Sequence, residues 1–495
     1  MKTSCGAVQK RLGVVSVGVL ACLCLFLLLG TRVQAQVSNS YTPGVDVSQY
    51  TYAKFVDWLR KDADAKVPLK PGDVFTSKDL DRLGPFIPPG YLEQLNFLEF
   101  SGTVEAAEDW APPASYRTCS EKYQNQVKLN PDNTISNYVC GRPFAEADLK
   151  VSDPRAGTKA AWDFEYRWQN YGVTVFNLGL IWSRPGTDHS GLLPELAPTL
   201  PPENWGITPA AFNVTTKWPS EIGTSEYFGG GGTFQRVLNA AHQRVYFTHL
   251  AQLADSGGVL QVSDAKNYEF KEFTGFFTPF DIRGTAFIVF RYDDPYRADD
   301  SWSYVPNIRR VRRASAEIRS DSLLGTDNTL DDFYGFSGHE VEWNFEFLGT
   351  KDVLVPVANR DFPRLYGPEG SIPNSAWEVR RFAVVYRTPR VPRYPESCLM
   401  FWDIQSFNTA YYFNFDGTGK LWKTNLYWGE KNESIKAFAE MSRGTNMPIA
   451  VNHSIIDVQR NRGTIETFVG FGFPNVDPRQ VARMTDVNRL EEVHR

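Results

Sequence analysis

The stretch Val341–Phe347 (VEWNFEF) decides the fold class, because large apolar residues alternate in it with polar ones. Trp343, Phe345 and Phe347 would share one side of an extended chain, while acidic and amide side chains occupy the other. A period of two is typical of a half-buried strand. Gly349-Thr350 predicts a turn after it, into a second strand.

The stretch Trp162–Gln169 (WDFEYRWQ) shows the same alternation. Its four rings, Trp162, Phe164, Tyr166 and Trp168, are separated by charged residues, so it too is predicted to be a half-buried strand. Asn170-Tyr171-Gly172 would turn it into a strand that starts at Val173. Further strands are predicted at 259–263, 284–292, 380–387, 398–405, 410–415, 420–428 and 449–458.

Strands follow one another at short spacing, which predicts an antiparallel sheet. Helical periodicity occurs at 52–59, 233–253 and 478–490. The expected organisation has an N-terminal segment of linker and short helices at 36–110. A curved antiparallel β domain at 111–495 follows, with a Pro- and Gly-rich excursion at 185–232.

The N-terminus has the layout of a secretory signal peptide at 1–35. Basic residues precede the apolar run Leu12–Gly30, and Val33 and Ala35 have the small-residue spacing of a cleavage site. The mature chain is therefore expected to begin at Gln36. A retained membrane anchor and a lipidated Cys22 are the alternatives.

Composition excludes a disordered chain, since 42% of the 495 residues are apolar and 22% are charged. The 13 Trp, 22 Tyr and 34 Phe make 14% of the sequence, which favours strands. The formal net charge is −5. Nucleic acid and anionic membranes attract basic surfaces, so the overall charge disfavours both as partners.

Cysteine usage is consistent with export. Cys119 and Cys140 flank a polar stretch in which Asn130–Asn133 reads as a hairpin turn, and a disulfide between them would stabilise by about 3 kcal/mol. Two buried thiols are the alternative. Cys398 lies beside an apolar run and is expected to be a core thiol.

No catalytic residue, metal site or cofactor is predicted. Gly335–Gly338 is too short for a nucleophile elbow, and Gly229–Gly232 lacks the following Lys-Ser/Thr of a phosphate loop. Three pairs of aspartates, 293–294, 299–300 and 331–332, are expected to be solvated turn residues, with acid–base or calcium sites as the alternative.

An arginine-rich string runs from Asp299 to Arg313. On an extended chain Arg310 and Arg312 would share one face. These guanidinium groups could pair with the neighbouring aspartates in a structural network. Alternatively, one could be left free for a carboxylate or phosphate headgroup.

The aromatic faces need an apolar cover, and few helices are available to supply it. The sheet must either fold on itself as a sandwich or curve around a cavity that an apolar ligand fills. The second arrangement predicts a set of ligand-binding residues on strand faces and in the arginine string. They are Trp162, Phe164, Tyr166, Trp168, Arg310, Arg312, Trp343, Phe345, Phe347, Phe382, Val384 and Tyr386.

Several short motifs resemble a family of proteobacterial exported proteins of unknown function that is grouped with the outer-membrane lipoprotein-sorting (LolA/LolB-like) proteins. The likeness spans about residues 65–460. Its motifs are LKPGDV at 69–74, NYVCGRPF at 137–144, Asp153-Pro154 with Ala161-Trp162, YDDP at 292–295, the string at 299–313 and LGTKDVLVP at 348–356.

The resemblance implies an α+β, β-rich fold, a strongly curved antiparallel half-barrel in which a few helices close an apolar cavity. It also implies a non-catalytic carrier or receptor for lipids or other hydrophobic molecules in the Gram-negative periplasm. A resistance-nodulation-division type transporter and an outer-membrane protein are the partners it suggests. A structural or docking subunit of an envelope transport complex is the alternative function.

Overall fold

The computed structural model describes most of the chain. The described residues are 41–184 except 43, 62 and 64; 191–192; 226–228; 233–314; 319; 321–358; 365–391 except 374; 396–431; 434; 439; and 442–492 except 474. The predicted signal peptide and most of the predicted excursion lie outside these residues.

The described residues form five α-helices and 21 strands. The helices are α1 (Tyr52–Arg60), α2 (Leu80–Leu83), α3 (Ala114–Tyr123), α4 (Ala156–Glu165) and α5 (Pro478–Met484). The strands are β1 (Val74–Thr76), β2 (Ser101–Thr103), β3 (Lys128–Leu129), β4 (Ile135–Ser136), β5 (Gly172–Arg184), β6 (Gly191–Leu192), β7 (Glu226–Phe228), β8 (Thr233–Tyr246), β9 (Tyr268–Thr278), β10 (Ala286–Tyr292), β11 (Asp300–Val305), β12 (Arg310–Ala314), β13 (Trp343–Ala358), β14 (Leu365–Tyr366), β15 (Ile372–Pro373), β16 (Ala376–Pro389), β17 (Ser397–Asp403), β18 (Thr409–Phe415), β19 (Leu421–Lys431), β20 (Pro448–Asp457) and β21 (Arg462–Gly472).

One large curved sheet dominates the fold. Thirteen of the described strands form it in the order β12-β11-β10-β9-β8-β5-β21-β20-β19-β18-β17-β16-β13, with every neighbouring pair antiparallel. The sheet is open, with β12 and β13 as its edges. The predicted fold class, a β-rich curved antiparallel sheet with a few helices, is confirmed.

Most of the predicted elements are present. Helices cover the expected stripe at 52–59 and the C-terminal region, where α5 is followed by a short 3-10 helix at Val487–Glu491. The strands predicted at 284–292, 380–387, 398–405, 410–415, 420–428 and 449–458 correspond to β10 and β16–β20. Each of these segments combines strand-forming residues with turn residues at its ends.

The strand predicted at 162–169 is wrong, because the helix α4 occupies its first half. Asp163 and Glu165 are buried together with the neighbouring rings, so the alternation of polar and apolar residues does not separate an inside from an outside. At Gly157 the helix backbone packs directly on β13. A Cβ there would lie 2.3 Å from the carbonyl oxygen of Phe345.

Three other predictions are corrected. The helix predicted at 233–253 is the strand β8, in which Leu238 and Ala240 pack on one face of the sheet and Ala241 and Val245 on the other. A strand buried on both faces has no polar alternation to reveal it. Gly349 lies in a bulge within the continuous strand β13, and residues 259–263 form a loop.

The large sheet carries a core on each face, as β17 shows. Leu399 and Phe401 belong to the core that the N-terminal residues 41–110 and the C-terminal helices cover. Met400 and Trp402 belong to the opposite core, under α4. The protein therefore has three layers in this region, and the segment predicted to be a linker with short helices is one of them.

The predicted disulfide between Cys119 and Cys140 is present, and it joins α3 to the segment after the β3–β4 hairpin. The turn of that hairpin contains Asn133, whose φ of 74° is a left-handed conformation that asparagine tolerates. Cys398 is a fully buried free thiol, as predicted.

Candidate functional site

An apolar cavity lies at one end of the large sheet, where β5 and β20 begin and β13 and β19 end. It contains about 880 Å³ of empty space, part of which is open to solvent. Its lining residues are Trp110, Gln169, Val173, Val175, Leu178, His242, Phe333, Tyr334, Val357, Asn408, Thr409, Ala410, Tyr427, Trp428, Gly429, Met447, Pro448, Ile449, Ala450 and Phe468.

Irregular strand ends create the space. β5 has a register shift between Val175 and Leu178, and β19 has one between Trp428 and Gly429. At Gly429 a Cβ would lie 2.3 Å from the carbonyl oxygen of Ile449, so only glycine lets β19 and β20 approach this closely. Bulges re-aim side chains, and here they turn residues of several strands toward one volume.

The cavity wall carries no ionised side chain among its lining residues. Its titratable side chains are one imidazole and two phenols. Burial lowers the pKa of His242 to about 4, so this imidazole is neutral near pH 7. Its Nδ1 lies 2.9 Å from Thr274 Oγ1 and its Nε2 lies 3.1 Å from the hydroxyl of Tyr334. The hydroxyl of Tyr427 donates to the carbonyl oxygen of Asp332 at 3.1 Å. Such a wall favours an uncharged ligand, because an unpaired charge would be costly there.

Trp110 forms part of the wall and is held from behind. The Arg380 guanidinium lies 3.7 Å from its ring centroid, and its indole Nε1 donates to Glu108 Oε2 at 3.2 Å. Arg380 is itself fixed by Glu378 and Asp403 at 2.6 and 2.9 Å. The tryptophan is thus part of a preformed wall.

Glu430 lies behind the same tryptophan. Burial, together with a hydrogen bond to Glu108, raises the pKa of Glu430 to about 9. Its carboxyl is therefore protonated at neutral pH. Two carboxyl groups that share one proton contribute less negative charge beside the cavity than two carboxylates would.

A second, smaller cavity of about 370 Å³ has several titratable side chains in its wall. Glu165, Glu269 and His249 line it, together with Tyr166 and Trp168. Burial and the neighbouring Glu165 carboxyl raise the pKa of Glu269 well above its ordinary value. This site differs in chemistry from the apolar cavity.

None of the twelve predicted ligand-binding residues lines the apolar cavity. Phe164, Trp343, Phe345 and Phe347 share one packed cluster, in which the Phe164 ring stacks on Trp402 with centroids 4.7 Å apart. The indole of Trp162 donates to the carbonyl oxygen of Asn133 at 2.8 Å instead. Tyr166 and Trp168 line the smaller cavity.

The remaining predicted residues lie elsewhere. Phe382 and Val384 belong to the core on the opposite face of the sheet, and Tyr386 packs against it. Arg310 and Arg312 are exposed on the edge strand β12. Whether any of the twelve contacts a ligand stays a prediction.

The arginine string pairs with its aspartates only in part. Arg313 contacts Asp300, as the predicted network requires. Asp299 is fully buried and instead accepts from Arg291 at 2.7 Å and Arg319 at 2.8 Å. The expectation that this aspartate is a solvated turn residue is wrong, because its partners come from outside the string.

Sequence reasoning missed the cavity residues. Phe333 and Tyr334 follow Asp331-Asp332, a pair assigned to a solvated turn, yet both aspartates are buried. Tyr427 lies in a predicted strand that contributes none of the predicted ligand-binding residues, and Phe468 lies in β21, a strand that is not among the predicted ones. The apolar run Met447-Pro448-Ile449-Ala450, in which β20 begins at Pro448, was the available signal for a cavity at a strand end.

In the parts of the chain that the structure describes, no three His, Cys, Asp or Glu side chains are grouped so as to hold a metal ion. None of the described helices combines the length and the apolarity needed to cross a bilayer.

The fold and the cavity define a protein built on an open antiparallel β-sheet, with an uncharged cavity among its strand ends. The chain belongs to the family described as protein of unknown function (DUF1329), whose model matches residues 212–480, more than half of the sequence. The resemblance recognised in the sequence is thereby confirmed. No curated protein matches the chain significantly.

Solved structures give weaker similarities. A Vibrio parahaemolyticus domain named for outer membrane lipoprotein sorting is 13% identical, with a TM-score of 0.41 over 68% of this chain and 100% of its own. A DUF1329 family protein from Desulfovibrio piger is also 13% identical, with a TM-score of 0.41 over 67% and 99%. A LolA superfamily protein from Nitrosomonas europaea is 11% identical, with a TM-score of 0.33 over 66% and 91%.

Proposed function

We propose that this protein binds a lipid or another uncharged hydrophobic molecule in the apolar cavity and carries it without catalysis. The observation that supports this is the wall itself: its lining residues carry no charge, the imidazole of His242 is neutral, and Arg380 lies behind the Trp110 ring. Pockets of 300–1,000 Å³ with mostly apolar walls are typical of sites for small hydrophobic ligands.

The proposed location is the Gram-negative periplasm, which follows from the predicted signal peptide and agrees with the disulfide. A transporter and an outer-membrane protein as partners stay predictions from the resemblance. The proposed role is transport of hydrophobic molecules within the envelope.

A matched pair of fluorescent probes tests the proposal. N-phenyl-1-naphthylamine is uncharged, and 1-anilinonaphthalene-8-sulfonate is the same ring system with a sulfonate. The uncharged probe should bind saturably and at least tenfold more tightly than its sulfonate, because the cavity offers no cation to pair with the anion.

A cavity-filling variant locates the bound probe. Ala450→Trp places a large ring in the space, and it should weaken binding of the uncharged probe at least tenfold. Val74→Trp is the matched control, since Val74 is 60% exposed on the short strand β1 and away from the cavity wall. Equal probe binding by the two variants would refute the site.

Lipid extraction from the purified protein addresses the natural ligand. Mass spectrometry should recover a hydrophobic molecule from the wild type and less of it from Ala450→Trp. If neither probe binds and no molecule is recovered, the carrier proposal fails and the structural or docking subunit is favoured.

A further inference from the structure

Two hairpin turns at one end of the large sheet expose apolar side chains to solvent. The turn between β9 and β10 carries Phe280, which is 91% exposed, and the turn between β11 and β12 carries Ile308, which is 43% exposed. Isolated exposed apolar residues are common, but two large ones at neighbouring turns are a feature that needs a partner.

The strand register places the two turns side by side. β10 pairs with both β9 and β11, and β11 pairs with β12. The centres of the two turns are therefore two strand spacings apart, roughly 10 Å. Both lie at the end of these strands opposite to the loop that joins β10 to β11.

Basic side chains surround the two apolar residues. Arg283 lies in the first turn, Arg309 in the second, and Arg310 opens β12; all three are exposed, and none forms an ion pair with a described residue. Asp281, the acidic residue of the first turn, is already paired with Arg236 at 2.6 Å. Among the described residues of the two turns, the unpaired charged side chains are therefore all basic.

The opposite end of the same strands lacks this combination. The exposed charged residues of its loop at 293–299 are Asp294 and Arg297, one of each sign, and its exposed ring, Tyr296, donates to the carbonyl oxygen of Asp132. The unpaired arginines Arg283, Arg309 and Arg310 therefore lie beside the free apolar side chains. The formal charge of −5 for the whole chain conceals this local arrangement.

We propose that these two turns dock the protein on an anionic lipid bilayer. Phe280 and Ile308 would enter the boundary between headgroups and acyl chains, while the arginines contact lipid phosphates. A bilayer fits better than an acidic protein, because the exposed apolar residues lie on two separate hairpin turns, each beside unpaired arginines. The proposal goes beyond ligand carriage. The two turns lie at one end of the sheet, and the apolar cavity lies at the other end.

Vesicle flotation tests the proposal. The protein used is the chain from Gln36 onward, which keeps every described residue and lacks the apolar run at 12–30 that would bind lipid by itself. It should float with vesicles of phosphatidylethanolamine and phosphatidylglycerol, and much less with pure phosphatidylcholine. Added salt should weaken the binding.

Two variants remove the two contributions separately. Phe280→Ser should weaken vesicle binding about tenfold through lost apolar burial. Arg309→Asn with Arg310→Gln should weaken it about 25-fold, at about fivefold for each arginine. Asparagine suits position 309 because the backbone there has a φ of 52°.

Matched controls are exposed residues far from the turns. Leu98 is 89% exposed, so Leu98→Ser removes a comparable apolar side chain. Arg82 and Arg381 are 50% and 56% exposed, so Arg82→Ser with Arg381→Ser removes two surface arginines. These controls should bind vesicles as the wild type does.

All variants should keep the wild-type unfolding midpoint and the wild-type affinity for N-phenyl-1-naphthylamine. Loss of vesicle binding with unchanged probe binding would distinguish a defect in membrane docking from a defect in ligand carriage. The proposal is overturned if either turn variant binds anionic vesicles as tightly as the wild type. It is equally overturned if the wild type binds no vesicles, a result that would favour an acidic protein as the partner.

Discussion

Replacing Asp299 by asparagine tests the buried charge cluster that holds β10, β11 and the segment around 319–340 together. The Asp299 carboxylate accepts from Arg291 Nε at 2.7 Å and Nη2 at 3.1 Å, and from Arg319 Nη1 at 2.8 Å. His339 Nε2 lies 3.1 Å from the same group. Asparagine keeps the shape but removes the charge. Arg319 retains a second buried partner, Asp331, at 2.6 Å, whereas Arg291 loses its carboxylate partner.

The expected loss is about 3–5 kcal/mol of unfolding free energy, the usual cost of leaving a buried charge without its partner. The neighbouring Asp300 supplies the control. Its partner Arg313 is 70% exposed, and surface pairs of this kind contribute about 0.2–1 kcal/mol. Asp300 also accepts from the hydroxyl of Tyr292, so Asp300→Asn should cost about 1 kcal/mol in total.

Urea denaturation followed by tryptophan fluorescence measures both variants, since uncharged urea does not screen ion pairs. The reasoning is refuted if Asp299→Asn is no more destabilising than Asp300→Asn.

The pH dependence gives a second measurement on Asp299. Burial alone would raise its pKa, but Arg291, Arg319 and His339 hold the pKa of this carboxyl well below its ordinary value. A depressed pKa stabilises the fold above the unfolded value of about 3.9, and this contribution falls as the pH drops toward the folded pKa. The stability gap between wild type and Asp299→Asn should therefore be constant from about pH 7 to pH 5 and narrow below about pH 4.

Three further predictions concern stability. Gly157→Ala should destabilise by about 1–3 kcal/mol, because the added Cβ would clash with the backbone of Phe345. Alanine normally stabilises a helix relative to glycine, so a stabilised variant would contradict the packing of α4 on β13. Cys140→Ser should lower the unfolding free energy by about 3 kcal/mol, and reduction of the wild type should abolish the difference. Burial and Glu108 raise the pKa of Glu430 to about 9, so the stability that this group contributes should fall as the pH rises from about 4.5 to about 9. Glu430→Gln should therefore gain on the wild type over that window; an unchanged difference between their urea midpoints at pH 5 and pH 9 would contradict this.

The fold class could be predicted because strands of this sheet carry rings in alternation or end at clear turns. β13 is the best example, since its first residues are the quoted stretch. The same signal misled at 162–169, where the residues between the rings are buried as well. The strand β8 was predicted to be a helix, because a strand that is buried on both faces lacks the alternation of polar and apolar residues. Sequence periodicity reveals a difference between the buried and the exposed side of a helix or strand. It therefore cannot identify an element that is buried on both sides.

The sequence predicts that an apolar cavity exists, but it does not predict which residues line the cavity. The rings of β13 and β16 looked like a lining, yet they pack against α4 and against the N-terminal residues 41–110. That N-terminal segment was expected to be linker and short helices outside the β domain, so its capacity to cover a face of the sheet was underestimated. The cavity wall consists of residues at strand ends and bulges. A bulge shifts the strand register, and no clear sequence pattern predicts where it occurs.

The paired aspartates show why charge could not be placed from the sequence. Asp299 and Asp300 are adjacent, so extended geometry sends their side chains to opposite sides. Which side is buried depends on partners that lie 8 and 20 residues away, Arg291 and Arg319. The arginines of the string stay at the surface instead, although they follow on the same hairpin. The buried aspartate thus uses distant cations, and the exposed arginines of β12 are left at the sheet edge, where the proposed bilayer contact needs them.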